Sequence, residues 1–275
     1  MMAVLASSSY QCAVITHNVI HGPIFRSRRL NRLFQVVLTH TYGHPVSTFV
    51  PGHNLSHHKY VETARDVMRT TKVRSQSNLL NILMFYPTVA PAILKNDAEF
   101  ASGMKKRNPR WYRQLMLETI ALVTTSVVLL AIDPWRFLLF WMLPHFVGGW
   151  GIISTNMLQH DGCDVAHRAN HSRNFTGRFF NWLMVNNGYH GIHHEQPTLH
   201  WTLLPEAHAR LIQPYIHPAL DQPSIFVYLV KRFVYPGRRV MYDGSPYEAV
   251  EWAEDVSWVP KPGQPMPDIS LGAEI

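Results

Sequence analysis

Nine histidines fall into four short groups whose spacing is that of metal ligands. HNVIH sets His17 and His21 four apart, HNLSHH carries His53, His57 and His58, NMLQH pairs Asn156 with His160, and HGIHH carries His190, His193 and His194. Residues at i and i+3 or i+4 stack on one helical face, so two imidazoles can converge on one ion. The extra adjacent histidine points about 100° away and can reach a second. Nine imidazoles exceed the three or four ligands of one zinc ion. Two metals with four or five imidazoles each account for the number, and imidazole suits Zn, Cu, Fe and Ni alike. A thiolate-free centre held just above a bilayer core fits oxidation of a lipid-soluble chain better than hydrolysis.

Other histidines have the same spacing without the same context. His40 and His44 sit in a Gly/Pro-broken segment and read as core or interface hydrogen-bonding residues, and His167 and His171, among Arg168, Arg173 and Arg178, read as a solvated or headgroup-facing basic patch. His200 is expected to close the turn after Pro197 or to contact the cap. A metal-bound histidine donates its second ring N–H to an acceptor, which makes neighbouring carboxylates candidates. Asp161 and Glu195 are the first choices, with Asp164 and Glu62 also beside the boxes. Glu118, ionisable within an apolar stretch, is a functional candidate by default.

The elements that carry these residues look membrane-bound. Of the 275 residues 47% are hydrophobic and only 16% charged, against roughly 25% charged in an ordinary soluble domain. The net charge of +7 fits an anionic membrane face or substrate, and no aromatic-basic interleaving points to nucleic acid. Two cysteines without a CxxC exclude a disulfide framework and fit a reducing compartment. No cleavable signal peptide and no internal repeat is evident. Residues 114–132 and 137–158 are each of spanning length and are separated by a short polar turn, so they predict a transmembrane hairpin. Lys105, Lys106, Arg107, Arg110 and Arg113 precede it, and His167, Arg168, Arg173 and Arg178 follow, which puts both ends in the cytoplasm. Residues 1–16 read as a partial span. Residues 33–50 and 79–94, interrupted by Pro45 and by Pro87 and Pro91, read as re-entrant or interfacial, and 225–235 as interfacial.

HNVIH, HNLSHH and NNGYHGIHHEQP together resemble the three histidine boxes of the membrane fatty acid desaturase and hydroxylase superfamily, and NMLQH resembles the further Asn-and-His element of its desaturase members. The match runs in order from Thr16 to about Pro205. The resemblance implies an all-α integral membrane bundle with a cytoplasmic helical cap that carries the boxes, in a bacterial inner membrane or the endoplasmic reticulum. It implies two iron ions (Fe2+) held by His17, His21, His53, His57, His58, His160, His190, His193 and His194. Asn156 matches the position of a metal-associated water, and no catalytic residue beyond the ligands is implied. O2 is the implied co-substrate and a lipid acyl chain the substrate. Because no HPGG motif of a fused cytochrome b5 is present, a ferredoxin, rubredoxin or cytochrome b5 with its reductase is the implied electron donor. The chain is then one domain over 1–275, with a cap at 17–112 and 159–259 and a loose tail at 260–275. The family's four spans form two hairpins, of which the first is represented here by about half, so a further upstream segment is expected.

Acyl-chain desaturation is the leading expectation, on Asn156 with His160 and on NNGYHGIHHEQP. Hydroxylation of an alkane or acyl chain, or oxidative decarboxylation, by the same di-iron site comes next. A zinc-dependent membrane lipid-amide hydrolase and a non-catalytic metal-binding membrane protein are the more distant readings.

Overall fold

The structure, a computed structural model, describes residues 1–248, 254–261 and 264–265. Most of the expected loose tail, 262–263 and 266–275, therefore lies outside the described residues. The all-α expectation holds for the secondary structure: α1 (Met2–Val19), α2 (Arg28–Tyr42), α3 (His58–Tyr60), α4 (Asn78–Arg107), α5 (Pro109–Ile132), α6 (Pro134–Phe137), α7 (Leu143–His160), α8 (Arg178–Leu183), α9 (His190–Glu195), α10 (Leu204–Leu211) and α11 (Ile225–Leu229). Among the described residues the one sheet pairs β1 (Asn174–Phe175) in parallel with β2 (Asp221–Gln222). The chain divides into two units, one of Met1–Ser56, Ala92–Ile152 and Ser257–Ile275, the other of His57–Pro91 and Ile153–Val256.

The apolar helices start where side-chain caps and prolines dictate. Asn108 accepts from Trp111 N at 3.1 Å with Pro109 in the first turn of α5. Asp133 repeats the device by accepting from Arg136 N at 3.0 Å ahead of Pro134. An N-cap oxygen satisfies a donor that the helix cannot, and proline costs nothing at that first position. From Pro134 the chain stays helical to His160, through a π turn at Leu138–Met142. Pro109–Ile132 and Pro134–His160, 24 and 27 residues, are the two described helices long and apolar enough to cross a membrane, and they contain both expected spans. Along α5, Leu117, Ile120, Val123 and Val127 are 52 to 62% exposed.

Within the first unit α2 buries Asn31, Gln35 and Thr39 beside Leu38 and Tyr42 and exposes Leu30, Leu33 and Val37. Gly43 ends it at φ +89°, a left-handed position that favours glycine. Gly148 and Gly151 let the first part of α7 approach α1 closely, since a Cβ on Gly151 would lie 2.8 Å from the Tyr10 ring. In the second unit Cys163, Ile192, Leu204, Ile212 and Leu220 form a buried apolar cluster. The segment 225–235 is amphipathic, burying Ile225, Tyr228 and Phe233 and exposing Phe226, Val230 and Tyr235.

In the segment 79–94, α4 runs unbroken for 30 residues through both prolines, so no re-entrant break falls there. Pro87 and Pro91 are four apart and both exposed, so the lost backbone bonds and ring clashes fall on one outer stripe of the helix. The buried stripe with Ile82, Phe85 and Val89 stays regular.

Candidate metal centre

In the first unit three imidazoles converge. His17 lies in the last turn of α1, and His21 follows the C-cap Ile20 rather than lying on the helix itself. His53 arrives from a π-helical turn, Val50–His57, a widened geometry that recurs at functional sites. Asn54 Nδ2 donates to Ile20 O at 3.1 Å and ties that turn to the end of α1. The ring centroids of His17 and His53 are 4.5 Å apart, and His21 lies 5.3 Å from each. Burial, and then the neighbouring His17, hold the His21 pKa well below the ordinary imidazole value, so it stays neutral.

In the second unit His57, His160, His190 and His194 bring their ligand atoms within 4.8 Å of one another. The adjacent pairs separate as the box spacing requires. His57 ends the π turn and joins this quartet, whereas His58 turns to His193, with 3.1 Å between their Nε2 atoms. On α9 it is His190 and His194, four apart, that stay together, and the i+3 residue His193 that diverges.

Proton accounting tests whether the quartet fits a cation. His57 Nδ1 donates to Asp66 Oδ2 at 3.0 Å, and His160 Nδ1 donates to the His171 carbonyl at 3.1 Å. A carboxylate and a carbonyl can only accept here, so with a single ring proton placed on Nδ1 each Nε2 offers a lone pair. His190 Nε2 stands 2.8 Å from His160 Nε2 and 3.0 Å from His194 Nε2. One N–H on His190 could serve only one of those neighbours. Burial and the surrounding histidines keep the His194 pKa well below the usual value, which opposes a protonated solution. A divalent cation satisfies all the inward lone pairs at once, and this imidazole-only donor set suits iron, zinc or copper.

Long-range contacts hold the quartet in place. Arg173, 1% exposed, donates to Leu158 O at 2.7 Å and Asp161 O at 3.2 Å, and its guanidinium stacks 4.4 Å above the Tyr228 ring. It thereby satisfies carbonyls at the end of α7 that the helix leaves open, beside His160. Asn174 Oδ1 on β1 accepts from Gly191 N at 2.8 Å and so caps α9, while its Nδ2 donates to Asp221 on β2 at 2.9 Å. The approach to α9 is clamped by Asn181, whose Nδ2 donates to Phe175 O at 2.7 Å and whose Oδ1 accepts from Gly188 N at 3.1 Å. A side chain at Gly188 would run into Phe175 O.

Several expected roles fall elsewhere. Asp161 does not support a histidine; it pairs with Arg239 at 2.5 Å and accepts from Tyr247 Oη at 3.2 Å. Glu195 pairs with Arg168 at 3.0 Å. Asp164 accepts from Ala166 N within its own turn, and Glu62 accepts from Thr70 N and Oγ1. The carboxylate that does meet a box histidine, Asp66, carries no local signal, since it is nine residues beyond His57 across a turn with Glu62 at φ 58°. Arg173, counted among solvated basic residues, is instead buried, and the carbonyl of its neighbour His171 orients His160. Asn156 lies one turn before His160 and donates its amide to Met68 O at 3.0 Å. Glu118 is wholly buried and structural in its contacts, accepting from Ser47 N at 2.8 Å and Gln114 Nε2 at 2.9 Å. His40 is held by Val36 O and Thr125 Oγ1, as expected, and His200 caps the turn that follows it, Trp201–Leu203, rather than closing the one after Pro197.

None of the curated proteins or solved structures searched matches this chain. The family model for fatty acid desaturase matches residues 1–221, a stretch that includes all four histidine boxes. With most of its length covered, the chain belongs to the fatty acid desaturase family of lipid-modifying oxidoreductases.

Proposed function

We propose that this protein is an oxygen-dependent, di-iron membrane desaturase that introduces a double bond into a fatty acyl chain. The observation that carries the reading is the quartet His57, His160, His190 and His194, in which outside acceptors take the Nδ1 protons of His57 and His160 and leave their Nε2 lone pairs facing inward. We assign it to one of the two irons. Iron supplies, when bound, the O2 chemistry that an unactivated C–H bond demands.

The chain's own residues orient and exclude. Asp66 and the His171 carbonyl set two imidazole tautomers, Arg173 steadies the end of α7, and burial keeps bulk water from the imidazoles. The exposed apolar faces of α5 and of Pro134–His160 suit a bilayer, from which an acyl chain would enter, with the histidines on the cytoplasmic side by the charge distribution around the hairpin. An external ferredoxin, rubredoxin or cytochrome b5 supplies two electrons per turnover.

Metal quantification on the purified protein and mass spectrometry of lipids from cells expressing it test the proposal together. Two irons per chain and O2-dependent unsaturated acyl products are expected, and His194→Ala should lose one iron and the products. Products carrying only a hydroxyl move the assignment to hydroxylation, and one zinc with O2-independent amide cleavage overturns it.

A further inference from the structure

We propose that a cavity between the first turns of α2 and α5 binds the phosphate headgroup of an anionic membrane phospholipid. The cavity, about 510 Å3, is lined by Arg29 and Arg32 from α2 and by Arg110 and Arg113 from α5, with Leu33 and Leu117 beside them and no carboxylate among its lining residues. It lies within the first unit and contains none of the box histidines.

Two independent features call for an anion there. Guanidinium groups gathered around one cavity favour an anion there, and the planar fork of arginine matches phosphate oxygens in a bidentate manner. The helix dipoles make the same demand. Arg29 and Arg110 lie in the first turns of α2 and α5, and neither first turn contains an acidic residue. The N-terminal end of a helix favours negative charge, so cations placed there are unfavourable until an anion is seated between them. The arrangement is pinned by Gln114 Nε2, which donates to Arg32 O at 3.2 Å and joins the two helices at the cavity.

The apolar residues choose among anions. Leu33 and Leu117 are 62% and 52% exposed, and Ile120 continues the exposed stripe along α5. A phospholipid satisfies both parts, with its phosphate among the arginines and its acyl chains along that stripe. Inorganic phosphate and coenzyme A share the charge and lack tails to lie there. Basic pockets beside membrane helices take anionic headgroups in this way. The inference rests on the membrane placement of α5 proposed above and not on the iron chemistry, so lipid binding is read separately from metal content and product.

The test is native mass spectrometry of the full chain released from mixed micelles of equimolar phosphatidylglycerol and phosphatidylcholine. One phosphatidylglycerol should be retained per chain in clear preference to phosphatidylcholine, and R29Q/R113Q should weaken that preference by roughly ten- to thirty-fold. K105Q/K106Q removes the same charge outside the cavity and should keep it. R110Q alone, at the exposed start of α5, is the second variant should the double variant misfold, as judged by helix content, and it should also lose preference. Absence of a preference, equal loss in K105Q/K106Q, an unchanged preference in folded R29Q/R113Q or R110Q, or full displacement by millimolar phosphate or coenzyme A would each overturn the proposal.

Discussion

His57 Nδ1 donates to Asp66 Oδ2 at 3.0 Å, with both side chains wholly buried. Asp66 is itself fixed by the backbone, accepting from Glu62 N at 3.0 Å and Met68 N at 2.8 Å. The tautomer of His57 is therefore set by a carboxylate that cannot swing away, and loss of such a partner typically costs ten- to a hundred-fold in metal affinity. Asp66→Asn should weaken metal retention by about that factor in a chelator titration. Glu195→Gln, which loses only an exposed pair with Arg168, should leave retention unchanged, and equal loss in the two variants would remove the orienting role assigned to Asp66.

The boxes were legible because four-residue spacing on a helix is a local rule, and the hairpin was legible because spanning length and apolarity are local as well. What brings His57 and His58 to different partners was not, since the π turn at Val50–His57 alters the angle between neighbouring residues. Nor did spacing say that His193, rather than His194, leaves the face shared with His190, because i+3 and i+4 are both neighbours of residue i on an α-helix. Asp66, Arg173 and the Asn174–Asp221 bridge were hidden because each acts across a fold: Asn174 reaches Asp221, 47 positions on, to hold the start of α9. The continuity of α4 was missed because two prolines read as breaks unless their shared exposed face is known.

Histidines that bind metal and histidines that hold structure should separate cleanly under alanine substitution. His194→Ala removes a quartet member and should lower product formation at least about a hundred-fold, with one metal ion lost per chain. His200→Ala loses only local contacts, with Thr202 N, with Thr202 Oγ1 at 2.7 Å and with the Trp201 ring, and should stay within about two-fold of the parent. His40→Ala should cost about 1–2 kcal/mol of stability through Val36 O and Thr125 while retaining full metal content. Metal analysis and product yield on the same preparations decide it, and metal loss in His200→Ala or His40→Ala would break the assignment.

Arg173 is a stability element with a consequence for the quartet. Arg173→Met keeps much of the volume but leaves Leu158 O and Asp161 O without their donor, at about 1–3 kcal/mol for each buried acceptor. The metal-free variant should melt several degrees lower in detergent. Metal affinity should fall with it, because His160 lies between those two carbonyls in the chain. Arg173→Lys restores one donor group but not the fork, so only part of the loss should return. A melting curve like the parent's for Arg173→Met would refute this role.

Two groups outside the membrane helices tilt stability in opposite directions with pH. Burial, and next the neighbouring Asp66, push the Glu62 carboxyl from 4.5 up to about 8. The folded form therefore holds a proton that the unfolded chain has released, and this contribution is full below 4.5 and is lost as pH rises towards 8. Burial lowers the His44 pKa from 6.5. Its contribution is full above 6.5 and is lost as pH falls through the lowered value, because the unfolded chain then binds the extra proton. Between 6.5 and 8 Glu62 is thus the one of the two that acts, and the melting temperature of the metal-free parent should decline relative to Glu62→Gln, which mimics the protonated form. Below 6.5 the parent should decline relative to His44→Gln, which has no proton to gain. Parallel curves for parent and Glu62→Gln across pH 6.5 to 8 would mean that Glu62 is ionised in the folded protein, and its hydrogen bonds from Thr70 would then outweigh its burial.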